Sequence, residues 1–119
     1  MSINESAENY LETILLLSKS LPVVRAVDIS EELGYKKSSV SVAMKNLREH
    51  NYITVSKSGF ITLTESGLEI AEMIYERHNI ISECLIKLGV PEEIASQDAC
   101  KIEHVISKES FTALKNHVK

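Results

Sequence analysis

The sequence has no tryptophan, and only two prolines, four glycines and two cysteines among 119 residues. Little Pro and Gly means few helix breakers and few obligatory turns, which suits a mostly helical chain. Two cysteines, Cys84 and Cys100, cannot build a disulfide framework. The start, "MSINESAENY", lacks a basic segment followed by an apolar stretch, so nothing marks a signal peptide, and free thiols in a reducing cytoplasm are expected. No apolar run approaches the roughly 20 residues of a membrane helix, so no membrane partner is expected. An apolar share of 44% and a charged share of 25% belong to a globular protein with one compact core.

A strong positive charge is also missing. The formal net charge of −4 excludes a protein that coats nucleic acid indiscriminately. The charge is unevenly spread, however. Residues 1–63 carry seven basic against seven acidic side chains, and residues 64–119 carry six against ten. Within 36–57, five basic residues face only Glu49. A locally basic strip on an acidic chain is a footprint for phosphate contact, although a solvated helix face has the same composition.

Periodicity supplies the elements. "SINESAENYLETILLLSKS" has Ser2 and Glu5 in capping-box spacing and apolar residues at helical period, giving a helix of about four turns. "VRAVDISEELGY" reads as a short helix stopped by Gly34, and "KKSSVSVAMKNLREHN" as a third helix. Then the period changes. Ile53–Val55 and Phe60–Thr64 are β-branched runs joined by Ser56-Lys57-Ser58-Gly59, a predicted hairpin. Thr64 is placed to cap a long fourth helix that Gly89 and Pro91 stop. A fifth helix is predicted from about Pro91 to Ile106, and a short sixth over most of "KESFTALKNHVK".

Three helices followed by a hairpin is the order of a winged helix-turn-helix. The expected architecture is mainly α: a winged helix-turn-helix with a two-stranded wing over 1–64, then a helical dimerisation domain over 65–119. On the third helix, Ser38, Ser39 and Ser41 offer hydroxyls to phosphates or base edges, and Lys36, Lys37 and Lys45 add charge. Lys57 at the wing tip is placed to reach an adjacent phosphate. Helices four and five offer more apolar surface than one small winged helix covers. A homodimer reading a palindromic double-stranded operator is therefore expected, with no small organic substrate.

One stretch concentrates chemistry. In "DACKIEHVIS", Cys100, Glu103 and His104 fall at i, i+3 and i+4, which share one side of a helix. His78 on helix four, and Asn9 and Glu12 on helix one, are further Lewis bases beside apolar stripes. This mixed S/N/O set suits Fe(II), Co(II), Ni(II), Zn(II) or Mn(II) rather than Ca(II) or Mg(II). The bland readings are a hydrogen-bonded core histidine, a buried hydrophobic cysteine and a solvated helix face. A catalytic thiol would need an oxyanion hole and an orienting third group, and neither is visible, so no enzyme is expected.

Taken in order, "ENYLETI", "SSVSVAMKNLREHNYI", "LTESGLEIA", "ERHNIISECLIKLGV" and "DACKIEHVIS" resemble the diphtheria toxin repressor and manganese transport regulator family over nearly the whole chain. The resemblance implies a winged-helix domain, a helical dimerisation domain, and divalent metal bound between them that activates operator binding and represses metal-uptake genes. It implies metal ligation by Asn9, Glu12, His78, Cys100, Glu103 and His104. Glu12, His78, Glu103 and His104 match ligand positions of manganese-responsive members. Cys100 falls where those members have Glu and iron-responsive members have Cys; Asn9 falls where the former have Asp and the latter Met. The thiolate leans the expectation towards Fe(II), with Mn(II) second and Co(II), Ni(II) or Zn(II) as in vitro substitutes. Ser82 and Ser96 occupy positions that form a second site in iron-type members, and both are weak ligands. The family's optional C-terminal SH3-like domain is expected to be absent. The alternative expectation is a winged-helix regulator whose Cys/Glu/His cluster is structural, or senses redox or a small ligand.

Overall fold

The computed structural model describes residues 4–118. Among them are six α-helices and one two-stranded antiparallel sheet. The helices are α1 (Glu5–Ser20), α2 (Ala26–Leu33), α3 (Lys37–Glu49), α4 (Glu65–Lys87), α5 (Glu92–Ile102) and α6 (Lys108–Val118); the strands are β1 (Ile53–Val55) and β2 (Ile61–Leu63). The mainly α architecture with a two-stranded wing is the one the hydrophobic pattern predicted. The chain forms two compact units, one running to Glu72 and the other starting at Met73.

In the first unit, α1 packs on α2 and β2, α2 on α3, and α3 on β1. Ile29, Val40, Met44, Leu47, Ile53 and Ile61 bury into its core. Residues 40, 44 and 47 of α3 lie one turn apart, so one stripe goes inward and the opposite face stays in water. Gly34 ends α2 in the left-handed conformation (φ +70°), with its N–H on the Ser30 carbonyl. In the wing, Ile53 pairs with Leu63 and Val55 with Ile61. The Ile61 N–H also donates to the Val24 carbonyl at 2.7 Å, which fastens the chain before α2 to the wing.

The entry to α1 differs from the capping box drawn from the sequence. Ser2 lies outside the described residues, and Asn4 is the N-cap, its side-chain oxygen accepting from the Ala7 N–H at 2.7 Å. Thr64 caps α4 as expected, accepting from the Gly67 N–H at 3.2 Å. The Thr64 and Ser66 hydroxyls both donate to the Asn51 carbonyl. These bonds join the first turns of α4 to the turn after α3, and the compact units divide beyond them.

In the second unit, Ile74, Ile81, Cys84, Ala95, Ala99 and Phe111 are buried. Gly89 (φ +102°) follows α4 and permits the reversal into α5. α6 is held by Lys115, whose Nζ lies 2.8 Å from Glu76 Oε2. Among the described residues no helix is long and apolar enough to cross a membrane.

Candidate metal centre and nucleic-acid interface

His78, Cys100 and Glu103 come together within the second unit. The Nδ1 atom of His78 lies 2.9 Å from Glu103 Oε1 and 3.8 Å from Cys100 Sγ. One ligand atom from each residue falls within 4.8 Å of the other two. Donor atoms around an ion bonded at about 2.0–2.3 Å are separated by roughly 3–4.5 Å, so a small movement suffices for all three to reach one ion. On its other edge, His78 Nε2 is 3.5 Å from the Ser96 hydroxyl. His104 joins from the next position, its Nε2 3.7 Å from Glu103 Oε2 and its side chain only 4% exposed.

Glu103 is the most informative member. Its residue exposure is 0%, and a carboxylate so far from water needs compensating positive charge or hydrogen-bond donors. Imidazoles flank it on both sides. A thiol, two imidazoles and a buried carboxylate are the donors that a borderline divalent transition ion takes. The set therefore fits such an ion.

The backbone here corrects one expectation. The fifth helix was predicted to run to Ile106, placing Cys100, Glu103 and His104 on one helical face. α5 instead ends at Ile102, and Glu103 is its C-cap, still right-handed at φ −56° and ψ −28°. Arg77 takes up carbonyls left free of the helix at this end. Its Nη1 donates to the Glu103 carbonyl at 3.2 Å and to the Ile106 carbonyl at 3.1 Å, and its guanidinium lies over the Phe111 ring at 5.6 Å. These bonds hold the turn after α5 from the residue preceding His78. Arg77 thereby orients Glu103 without donating a ligand atom, a role that sequence reasoning did not assign.

Asn9 and Glu12 sit three residues apart on α1, in the first unit; Asn9 is half-buried and Glu12 buried. Ser82 has a buried hydroxyl with no hydrogen-bond partner among the described residues. Cys84 points away from the cluster, its Sγ 3.8 Å from the Leu114 carbonyl, and neither cysteine forms a disulfide. Burial pushes the Cys84 thiol above its ordinary value, with Glu83 adding to the rise and Lys87 opposing it.

The first unit presents its polar α3 face to solvent. Lys36, Lys37, Ser38, Ser39, Ser41 and Lys45 are all exposed, as is Lys57 at the wing tip. Between α3 and the wing lies a cleft of about 250 Å³ lined by Ser41, Lys45, Arg48, Val55 and Gly59 among others. Ala26, Met44, Val55 and Ile61 make its walls mainly apolar, with Ser41, Lys45 and Arg48 as the polar side chains among them. Arg48 lines this cleft beside Lys45 and lies on the same basic strip, although the expected DNA contacts did not include it. Arg25 lies at the start of α2. Its guanidinium covers the Phe60 ring at 4.9 Å, at the start of the returning wing strand.

Comparison with known proteins adds two domain matches. Residues 2–60 match the family described as "Iron dependent repressor, N-terminal DNA binding domain". Residues 64–119 match "Iron dependent repressor, metal binding and dimerisation domain". An uncharacterized HTH-type transcriptional regulator of Methanocaldococcus jannaschii is 35% identical over 95% of this chain and 92% of its own length. The transcriptional regulator MntR of Escherichia coli O6:H1 is 32% identical over 93% of this chain and 72% of its own. Among solved structures, that of T. acidophilum IdeR superposes with a TM-score of 0.83 at 26% identity, covering 98% of this chain. The present chain spans 55% of that protein, so about half of its length.

Proposed function

Because the chain belongs to the iron-dependent repressor family of metal-dependent transcriptional regulators, we propose that it is a homodimeric repressor of metal-uptake genes, switched on by Fe(II) or Mn(II). The family is one of regulators and not of enzymes. The observation that carries the metal reading is the wholly buried Glu103 carboxylate, set beside His78, Cys100 and His104.

In the proposed site, His78, Cys100, Glu103 and His104 would hold the ion, with Asn9 and Glu12 of α1, which the family resemblance implies, as further proposed donors. When bound, the ion supplies the positive charge that the buried carboxylates and the thiolate require. Cys100 favours Fe(II) over Mn(II), because a thiolate is a softer ligand than the carboxylate oxygen that suits Mn(II). α1 packs on α2, and α2 on the recognition helix α3. A donor set that includes α1 therefore limits the orientations that α3 samples, selecting those competent for the operator. His78 Nδ1 and Glu103 Oε1, 2.9 Å apart, are both groups that must be free of protons to bind an ion. Protons and metal compete for the same atoms, and activation weakens as the medium becomes acidic.

On the DNA side, Lys36, Lys37, Lys45 and Lys57 contact phosphates, and Ser38, Ser39 and Ser41 reach backbone or base edges of a palindromic site. The test is an anaerobic titration with Fe(II) and with Mn(II), read by binding to a duplex that the metal-loaded protein has selected from a random library. Wild type is expected to gain at least tenfold in affinity on loading, and to need less Fe(II) than Mn(II). Glu103→Ala and His104→Ala are expected to lose the gain. Variants that bind DNA as tightly as loaded wild type would refute the switch.

A further inference from the structure

The exposed face of α3 is polar except at one position. Val42 is 61% exposed, the most exposed large hydrophobic side chain among the described residues of the first unit. It sits four residues after Ser38 and three before Lys45, and therefore on the same face as both. Nothing in helix stability recommends valine there. A β-branched side chain at an exposed helical position is a poorer helix former than alanine, and its methyls gain little burial in the unbound protein. Its neighbours Ser38, Ser39, Ser41 and Lys45 all offer hydrogen bonds.

From this contrast we infer that Val42 is a specificity-determining residue that reads the C5-methyl group of thymine in the major groove. The inference rests on the reading of α3 as the helix that enters the groove. The chemistry is restrictive: valine has no donor or acceptor, and the thymine methyl is the apolar group on the major-groove edge of a base pair. Placed against guanine, adenine or cytosine, the side chain would instead cover N7, O6 or amino groups and strip them of water without replacing the bonds. The same side chain therefore attracts one base and penalises the others. The serines and Lys45 fix the register through phosphate and hydroxyl contacts, and Val42 supplies a choice among bases that they leave open.

The chain, loaded with Mn(II), is used to select duplexes from a random library. Each thymine of the enriched site is then replaced by deoxyuridine, which removes only the methyl group. Wild type is expected to lose about three- to tenfold in affinity at one thymine per half-site and little elsewhere. Val42→Ala, checked for unchanged helicity and thermal midpoint, is expected to bind the thymine and deoxyuridine duplexes alike. A wild type indifferent to every replacement, an enriched site lacking thymine, or a Val42→Ala protein that keeps the full deoxyuridine penalty would each overturn the assignment and leave DNA binding intact. Failure to enrich any sequence overturns this inference and the DNA-binding reading together.

Discussion

At the scale of single residues, the two cysteines of this chain have different surroundings. Cys100 is exposed beside an imidazole, whereas Cys84 is buried against the Leu114 carbonyl with its thiol pushed towards the protonated form. Alkylation proceeds through the thiolate, so a raised pKa and burial both slow Cys84. In metal-free protein at pH 8, iodoacetamide is expected to modify Cys100 at least tenfold faster than Cys84, as resolved by peptide mass spectrometry. Adding Mn(II) or Co(II) should protect Cys100 and leave Cys84 unchanged. Equal Cys100 rates with and without metal would remove that sulfur from the ligand set. Arg77 gives a second prediction of this kind. Its Nη1 holds the carbonyls of Glu103 and Ile106, and bonds from a charged donor are worth about 1.5–3 kcal/mol. Arg77→Ala should lower stability in urea by about 2 kcal/mol and weaken metal binding, although Arg77 donates no ligand atom. Metal affinity unchanged in that variant would mean that Glu103 is positioned by other contacts.

At the scale of elements, the corner joining α3, β1 and α4 is tied by backbone as much as by side chains. A Cβ added at Gly67 would overlap the Tyr52 carbonyl oxygen, and the Thr64 N–H donates to that same carbonyl at 3.0 Å. Asn51 makes the preceding turn with φ +62°, a conformation that asparagine tolerates better than most residues. Gly67→Ala is expected to cost about 1–3 kcal/mol in urea denaturation by forcing backbone apart. An unchanged midpoint would show that α4 can shift away from Tyr52 freely. Much of this architecture was legible in the sequence. The change from helical period to β-branched runs at Ile53 marked the wing, and Gly34 and Gly89 marked helix ends. The end of α5 was not legible. "KIEHVIS" carries no Gly or Pro, and the group that satisfies carbonyls beyond the helix end is Arg77, 26 and 29 residues away from them. The start of α1 shows the same limit at short range, since Asn4 stands beside other residues able to cap. The candidate ligand residue types were visible at once, whereas the burial of Glu103 between two imidazoles required the fold.

At the scale of the whole molecule, charge decides how the protein distributes itself between specific and bulk DNA. The net charge of −4 opposes unselective association, while the basic side chains of α3 and the wing are gathered where a duplex would lie. Such a protein needs its two recognition helices to act together, because one basic strip on an acidic body gives little affinity alone. Lys45→Ala and Lys57→Ala should each reduce the slope of log K against log salt by about one unit and weaken all duplexes to a similar extent. A slope left unchanged would exclude that lysine from phosphate contact. The dimer makes a geometric prediction as well. On the proposed palindromic operator, two-fold related helices would address half-sites separated by about one helical turn. Inserting five base pairs at the centre of the selected operator turns one half-site to the opposite face of the duplex. Affinity should then fall at least tenfold, towards that of a single half-site, and the metal dependence should shrink with it, because an orientation imposed on α3 matters only when both helices must dock at once. An operator that tolerates the insertion would mean that the protomers bind independently, and the proposed metal restraint on α3 would then have no spacing to select.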